Sequence, residues 1–99
     1  MSVVNVDAYV LDTLMPDLVG HDRQPSAFLV YLILWRHTHG AAEATAQLSL
    51  MDLAAGSGLS KRAVQAGVSL LAKRKLISIR RASITAIPCY AVLRPWVRG

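Results

Sequence analysis

Carboxylates are missing from almost half of this chain: beyond Asp52 there is no Asp or Glu. All six acidic residues lie in the first 52 positions, which also hold two arginines and carry a net charge of −4. The remaining positions carry +9, from Lys61, Arg62, Lys73, Arg74, Lys75, Arg80, Arg81, Arg94 and Arg98. A charge asymmetry of this size favours an anionic partner, and nucleic acid in particular.

Cysteine and long apolar runs are also scarce. Cys89 is the single cysteine, so an internal disulfide is excluded, and we expect its thiol to be a small buried apolar group. The longest apolar run, residues 27–35, has nine residues, whereas a transmembrane helix needs roughly 20. The N-terminus has no basic segment followed by an apolar one, so we expect no signal peptide and a cytoplasmic protein without a membrane partner.

No group of residues forms a catalytic pattern. No glycine-rich phosphate loop is present, and no nucleophile lies beside a His–acid pair. His21, His37 and His39 do not predict a metal site, because residues two apart on a helix direct their rings to different faces. We therefore predict that the protein is not an enzyme and that it binds no cofactor, metal or small-molecule ligand.

Hydrophobic periodicity predicts a single, mainly helical domain of the α+β class over residues 1–99. A first helix is predicted over Val3–Leu18, with Asn5 or Asp7 as its cap. Pro16 is expected to end or kink this helix, and residues 20–25 are expected to form a loop.

The apolar run predicts the central buried helix. Ser26 is expected to cap it, and the helix should continue to about His39 and stop at Gly40. Because its residues are apolar almost all round, we expect it to lie in the core. Trp35 and Phe28 are therefore interpreted as core residues and not as a stacking platform for bases.

Local sequence patterns that predict the start and end of helices are strongest in the middle of the chain. A short strand is possible over Gln47–Ser49, and Ser49 with Asp52 forms a capping box that should open a helix over Leu50–Gly56. Gly58 suits the left-handed turn that follows.

The basic half continues with one more helix and a hairpin. Ser60 should cap a helix that reaches Arg74, and alternating residues then predict strands over Leu76–Arg81 and Ile87–Leu93. Residues 82–85 would form the hairpin tip. Pro88 should delay pairing in the second strand, because it has no N–H to donate.

A helix-turn-helix needs a small residue where its helices cross, a turn glycine, and apolar residues that fix the second helix on the first. Residues of these types stand at the usual spacing: Ala54, Gly58, Leu59 and Val64. With the order of elements, residues 26–93 resemble the winged helix-turn-helix family, and are most similar to domains of GntR-like regulators and of phage or plasmid replication initiators. The resemblance implies a two- to three-stranded β wing, and the N-terminal helix predicted by periodicity (1–20) would be an addition to this core. Gly67 departs from it, because glycine inside a helix costs roughly 1 kcal/mol relative to alanine; close packing would explain it.

The resemblance implies that the helix from Ser60 to Arg74 enters the major groove of double-stranded DNA. The candidate DNA-binding residues are Ser60, Lys61, Arg62, Gln65, Ser69, Lys73, Arg80 and Arg81. Lys61 and Arg62 lie in the first turn, where the helix dipole disfavours cations by a few tenths to about 1 kcal/mol, so a bound anion explains them best. The dipole alone explains Lys73 and its two basic neighbours equally well.

The sequence favours a small transcriptional regulator that binds DNA as a homodimer. The N-terminal helix is the candidate dimer surface, with packing onto its own core as the alternative. Two other functions stay open: a winged-helix module that binds protein in a replication or partition complex, and non-specific binding of nucleic acid through charge alone.

Overall fold

The computed structural model describes residues 2–98. An N-terminal helix is followed by α1 (Pro25–His37), β1 (Ala46–Gln47), α2 (Leu50–Ser57), α3 (Lys61–Lys73), β2 (Ile77–Arg80) and β3 (Cys89–Val92). The strands form one antiparallel sheet in the order β1-β3-β2. Three helices against a small sheet, with the β2–β3 hairpin as the wing, form the α+β winged-helix architecture that the sequence predicted.

The N-terminal helix begins at Ala8, later than predicted, and residues 2–7 belong to no helix or strand. Two tryptophans contact the residues that were expected to cap it. The Trp35 Nε1–H donates to the backbone oxygen of Asn5 (2.8 Å), and the Trp96 Nε1–H donates to Asp7 Oδ2 (3.1 Å). Asp7 precedes the first helical residue, and its backbone oxygen accepts from the N–H of Val10 (3.0 Å). Its carboxylate is bound to Trp96 and Arg94 instead, so the predicted side-chain cap was wrong.

The N-terminal helix also ends later than predicted. It contains two π-helical segments, Val10–Leu14 and Pro16–His21. Pro16 does not end the helix, and it is the first residue of the second π-helical segment. The loop expected over residues 20–25 is shorter because the helix continues to His21.

Helix α1 is the central helix, as predicted, and its buried residues are Ala27, Phe28, Val30, Tyr31, Leu34 and Trp35. It begins at Pro25, and no side chain caps it. The predicted Ser26 cap was wrong because proline, with its fixed φ, takes the first helical position, which places Ser26 inside the first turn.

The end of α1 lies two residues before its predicted end. The chain leaves the helix at Thr38, whose hydroxyl donates to the backbone oxygen of Leu34 (2.8 Å). A 3-10 turn follows over residues 39–41, so Gly40 is not the stop that was predicted. Its small size serves packing instead, because a Cβ there would lie 2.8 Å from Val4 Cγ1.

The helix-turn-helix forms through local hydrogen bonds, as predicted. At the start of α2, Ser49 Oγ accepts from the N–H of Asp52 (3.0 Å), and Asp52 Oδ2 accepts from the N–H of Ser49 (2.9 Å). Gly58 has φ +79°, the left-handed conformation that ends α2. Ser60 Oγ then accepts from the N–H of Ala63 (3.1 Å) and caps α3.

Close packing on α1 explains the glycine within α3. A Cβ at Gly67 would lie 3.1 Å from Val30 Cγ2 and 3.2 Å from both Ala27 Cα and Ser26 O. Ala27 Cα and Ser26 O are backbone atoms of α1 and have little freedom to move. Gly67 therefore lets α3 approach α1, and this contact fixes the orientation of the opposite face of α3.

The wing starts pairing after Pro88, as predicted: Cys89 pairs with Arg80, and Tyr90 with Ile79. Residues 81–88 connect the two strands. On the other side of β3, Ala46 pairs with Tyr90. Strand β1 thus starts one residue before its predicted start and stops before Ser49, because that residue caps α2.

Candidate nucleic-acid interface

The outer face of α3 is polar and accessible. Four predicted residues on it are exposed: Lys61, Arg62, Gln65 and Ser69. Val64, Gly67 and Leu71 are buried on the opposite side. Packing on α1 and α2 therefore leaves a continuous polar surface on the helix that follows the turn.

The N-terminus of α3 concentrates positive charge. Its first turn contains Lys61 and Arg62 and no acidic residue, and neither cation forms an ion pair with another of residues 2–98. The helix dipole adds to this positive potential. An anion placed here would be attracted by both charges and by the N–H groups of the first turn, which makes the site suitable for a phosphate or the acceptor edge of a base.

The basic cluster at the other end of α3 divides into two kinds of residue. Arg74 holds the N-terminal helix, with its Nη2 2.9 Å from Asp17 Oδ2 and its Nη1 hydrogen-bonded to Asp22. The bond from Arg74 lowers the pKa of Asp22. Lys73 and Lys75 are exposed, so only these two offer free charge to a partner.

The C-terminal segment also joins the N-terminal part of the fold. Arg94 Nη1 lies 3.3 Å from Asp7 Oδ2. Trp96, which donates to the same carboxylate, stacks on Tyr9 with ring centroids 4.5 Å apart. Trp96 thus packs on the N-terminal helix, and Arg94 has a structural contact.

The two wing arginines occupy different places. Arg81 lines an open cleft of ≈ 420 Å³ between α3 and the wing, and also lines a second cleft together with Lys61. Arg80 lines neither of these and is exposed at the end of β2. The larger space is called the α3–wing cleft below; its lining is Leu50, Gln65, Val68, Ser69, Ala72, Ile79, Arg81 and Tyr90.

Two residues near the interface, Ile84 and Tyr90, were not among the predicted site residues. Ile84 is 92% exposed at the wing tip, in a turn closed by the Ala86 N–H donating to Ser83 O (3.2 Å). Isoleucine is uncommon in turns, where polar residues and glycine predominate, so the sequence alone could have identified Ile84 as unusual. The sequence could not have identified Tyr90, because alternation predicts that it lies in a strand but does not predict the cleft that it lines.

Other chemistry is limited within residues 2–98. These residues contain no cluster of three or more His, Cys, Asp or Glu that could hold a metal ion. Cys89 was expected to be buried, but the structure shows it only half-buried. None of the helices in this range combines the length and the hydropathy needed to cross a bilayer.

Fold and site together define a winged helix-turn-helix domain with an exposed, basic second helix. A family model described as a helix-turn-helix domain matches residues 24–77, more than half of the chain, and the protein belongs to that family. Membership indicates DNA binding as the general kind of function. Comparison with curated proteins and with solved structures gave no match. The similarity to GntR-like regulators stays a prediction.

Proposed function

We propose that the protein binds double-stranded DNA with α3 in the major groove and acts as a transcriptional regulator. The observation that carries the proposal is the exposed pair Lys61–Arg62 at the positive end of α3. This pair is unfavourable for the isolated helix, and a locally unfavourable choice is expected where function requires it. Bound DNA reverses the sign of that cost.

Each residue of the face has a role that follows from its chemistry. Arg62 can pair bidentately with guanine and Gln65 with adenine. Lys61, Ser60 and Ser69 are suited to phosphate oxygens, because they offer a charge or a hydroxyl without bidentate geometry. Lys73, Arg80 and Arg81 would add charge along the flanking backbone.

A second copy of the chain is part of this proposal. Leu11, Met15 and Val19 follow one another at four-residue spacing on the N-terminal helix, and each is more than a third exposed. Residues between them in the sequence, such as Leu14 and Leu18, are buried. The outer row supports a homodimer, which would present two α3 helices to two half-sites of one operator.

A protein partner is the alternative function, and the apolar side chains near the wing favour it. Met51 is 64% exposed and Ile87 50%, and both line the second cleft beside Lys61. A protein-binding module would use this apolar surface and would show no affinity for duplex DNA.

Fluorescence anisotropy over a series of salt concentrations tests the proposal. The probes are a labelled random duplex and a duplex from the region upstream of the protein's own gene. We expect tighter binding to the upstream duplex than to the random duplex. The affinity should fall as the salt concentration rises, because binding to phosphates releases counterions. Equal affinity for both duplexes would indicate non-specific binding, and no binding at low salt would reject a DNA-binding function.

A further inference from the structure

The α3–wing cleft is lined by polar and apolar residues. Gln65 and Ser69 line it from α3, and Arg81 lines it from the wing. None of its eight lining residues is acidic. The cleft therefore offers hydrogen-bond donors and one positive charge, without a carboxylate to compete for them.

Tyr90 adds a donor from within the fold. Its side chain is only 1% exposed, yet its hydroxyl makes no hydrogen bond with any of residues 2–98. Every fully buried side-chain nitrogen or oxygen in this part of the chain has a partner, so the hydroxyl belongs to the small exposed remainder. Tyr90 is one of the residues that line the cleft, and we infer that its hydroxyl opens there. Polar groups of nearly buried side chains are normally paired, and an oxygen bound in the cleft would pair this one.

The hydroxyl is in the donating form at neutral pH. Burial raises the pKa of Tyr90, and the nearby positive charge of Arg81 opposes only part of this effect. A protonated phenol beside a guanidinium binds an anionic oxygen better than a neutral one, because both groups donate and one is charged.

We propose that the α3–wing cleft is a binding site for a phosphate group. Its donors are the hydroxyls of Tyr90 and Ser69 and the guanidinium of Arg81. Two sources of phosphate share this chemistry. One is the DNA backbone, which separates the major from the minor groove and would pass between α3 and the wing; this case rests on the proposed function. The other is a free phosphate.

The first experiment uses inorganic phosphate, titrated at constant ionic strength and followed by backbone and side-chain amide NMR shifts. If the phosphate is free, shifts should move at Gln65, Ser69 and Tyr90. Tyr90→Phe, which removes one oxygen, should weaken binding by roughly tenfold. Tyr9→Phe is the matched control, because its ring stacks on Trp96 and does not line the cleft.

The second experiment measures duplex binding by anisotropy for the neighbouring arginine variants. Arg81→Gln should weaken binding roughly tenfold, whereas Arg80→Gln, with the same charge change outside the cleft, should have a clearly smaller effect. Single methylphosphonate replacements along the duplex then locate the contact. At one backbone position the neutral linkage should abolish the difference between wild type and Tyr90→Phe.

Each outcome decides the proposal. A cleft-specific effect in either experiment supports it and names the source of the phosphate. If inorganic phosphate does not bind and Arg81→Gln and Arg80→Gln weaken duplex binding equally, the proposal is overturned. If the wild type binds no duplex, the DNA-binding function is rejected, and the phosphate titration decides the cleft alone. Thermal unfolding checks that Tyr90→Phe folds. If that variant does not fold, Arg81→Gln, which changes an exposed residue, replaces it in the phosphate titration.

Discussion

Two features of α3 are unfavourable for a helix taken alone, and different physical causes account for them. Gly67 costs roughly 1 kcal/mol in helix propensity, but it lies against α1, where a Cβ would be only 3.1 Å from Val30 Cγ2 and 3.2 Å from Ala27 Cα. Lys61 and Arg62 oppose the helix dipole, and neither forms an ion pair within residues 2–98. Packing therefore explains the glycine, and the proposed contact with DNA would explain the cations.

Replacing Gly67 by alanine tests the packing explanation. Helix propensity alone would stabilise Gly67→Ala, but the new Cβ would press on atoms that cannot easily move, so we expect a net loss of about 0.5–2 kcal/mol. Urea unfolding measures the change. Gly20→Ala is the matched control, because nothing lies within 4 Å of a Cβ there, and it should be neutral or stabilising. A rise in stability for Gly67→Ala would contradict the account.

At the scale of elements, Arg74 joins the C-terminus of α3 to the N-terminal helix through Asp17 and Asp22. The pKa of Asp22 is lowered by this bond in the folded protein. Its contribution to stability is therefore complete above the unfolded value, about 3.9, and is lost as pH falls through the lower folded value.

This linkage predicts an acid-sensitive N-terminal helix. Between about pH 5 and pH 2 the wild type should lose stability more steeply than Asp22→Asn, which has no carboxylate to protonate. Urea unfolding midpoints at several pH values measure both slopes. Asp12→Asn should keep the wild-type slope, since the Asp12 carboxylate makes no hydrogen bond or ion pair with residues 2–98. Equal slopes for wild type and Asp22→Asn would show that the contact does not stabilise the fold.

Elements were predictable from sequence where their signals are local. The box of Ser49 and Asp52, the turn at Gly58 and the cap at Ser60 depend on bonds or conformations within four residues, so α2 and α3 were predicted closely. The N-terminal helix was not, because the carboxylate of Asp7, which was expected to cap it, is bound to the distant Trp96 and Arg94 instead. The α3–wing cleft was missed for the same reason: it forms only when the wing folds beside α3.

At the scale of the molecule, the separation between acidic and basic halves is partly neutralised by folding. Arg74 and Arg94, from the basic half, pair with Asp17, Asp22 and Asp7 from the acidic half. The cations of the basic half that form no ion pair within residues 2–98 lie at both ends of α3, on the wing and at Arg98. Net charge alone therefore overstated the basic surface, and the pairing indicates which part of it can meet DNA.

The assembly prediction also belongs to this scale. If the outer row of the N-terminal helix forms a homodimer, Met15→Glu should convert it to a monomer, because a charge would be buried at the interface. Sedimentation velocity measures the change. Val3→Glu is the control, since Val3 is 80% exposed and lies outside the row. A wild type that sediments as a monomer at high concentration would reject the dimer.

The central claim is that the charge at the start of α3, and not positive charge in general, binds DNA. Two double variants of equal net charge test it by duplex anisotropy at fixed salt: Lys61→Ala/Arg62→Ala, and Arg36→Ala/Arg98→Ala at exposed arginines outside the interface. We predict that the first loses affinity by at least roughly tenfold and the second by less than about threefold. Equal losses in the two variants would contradict the claim.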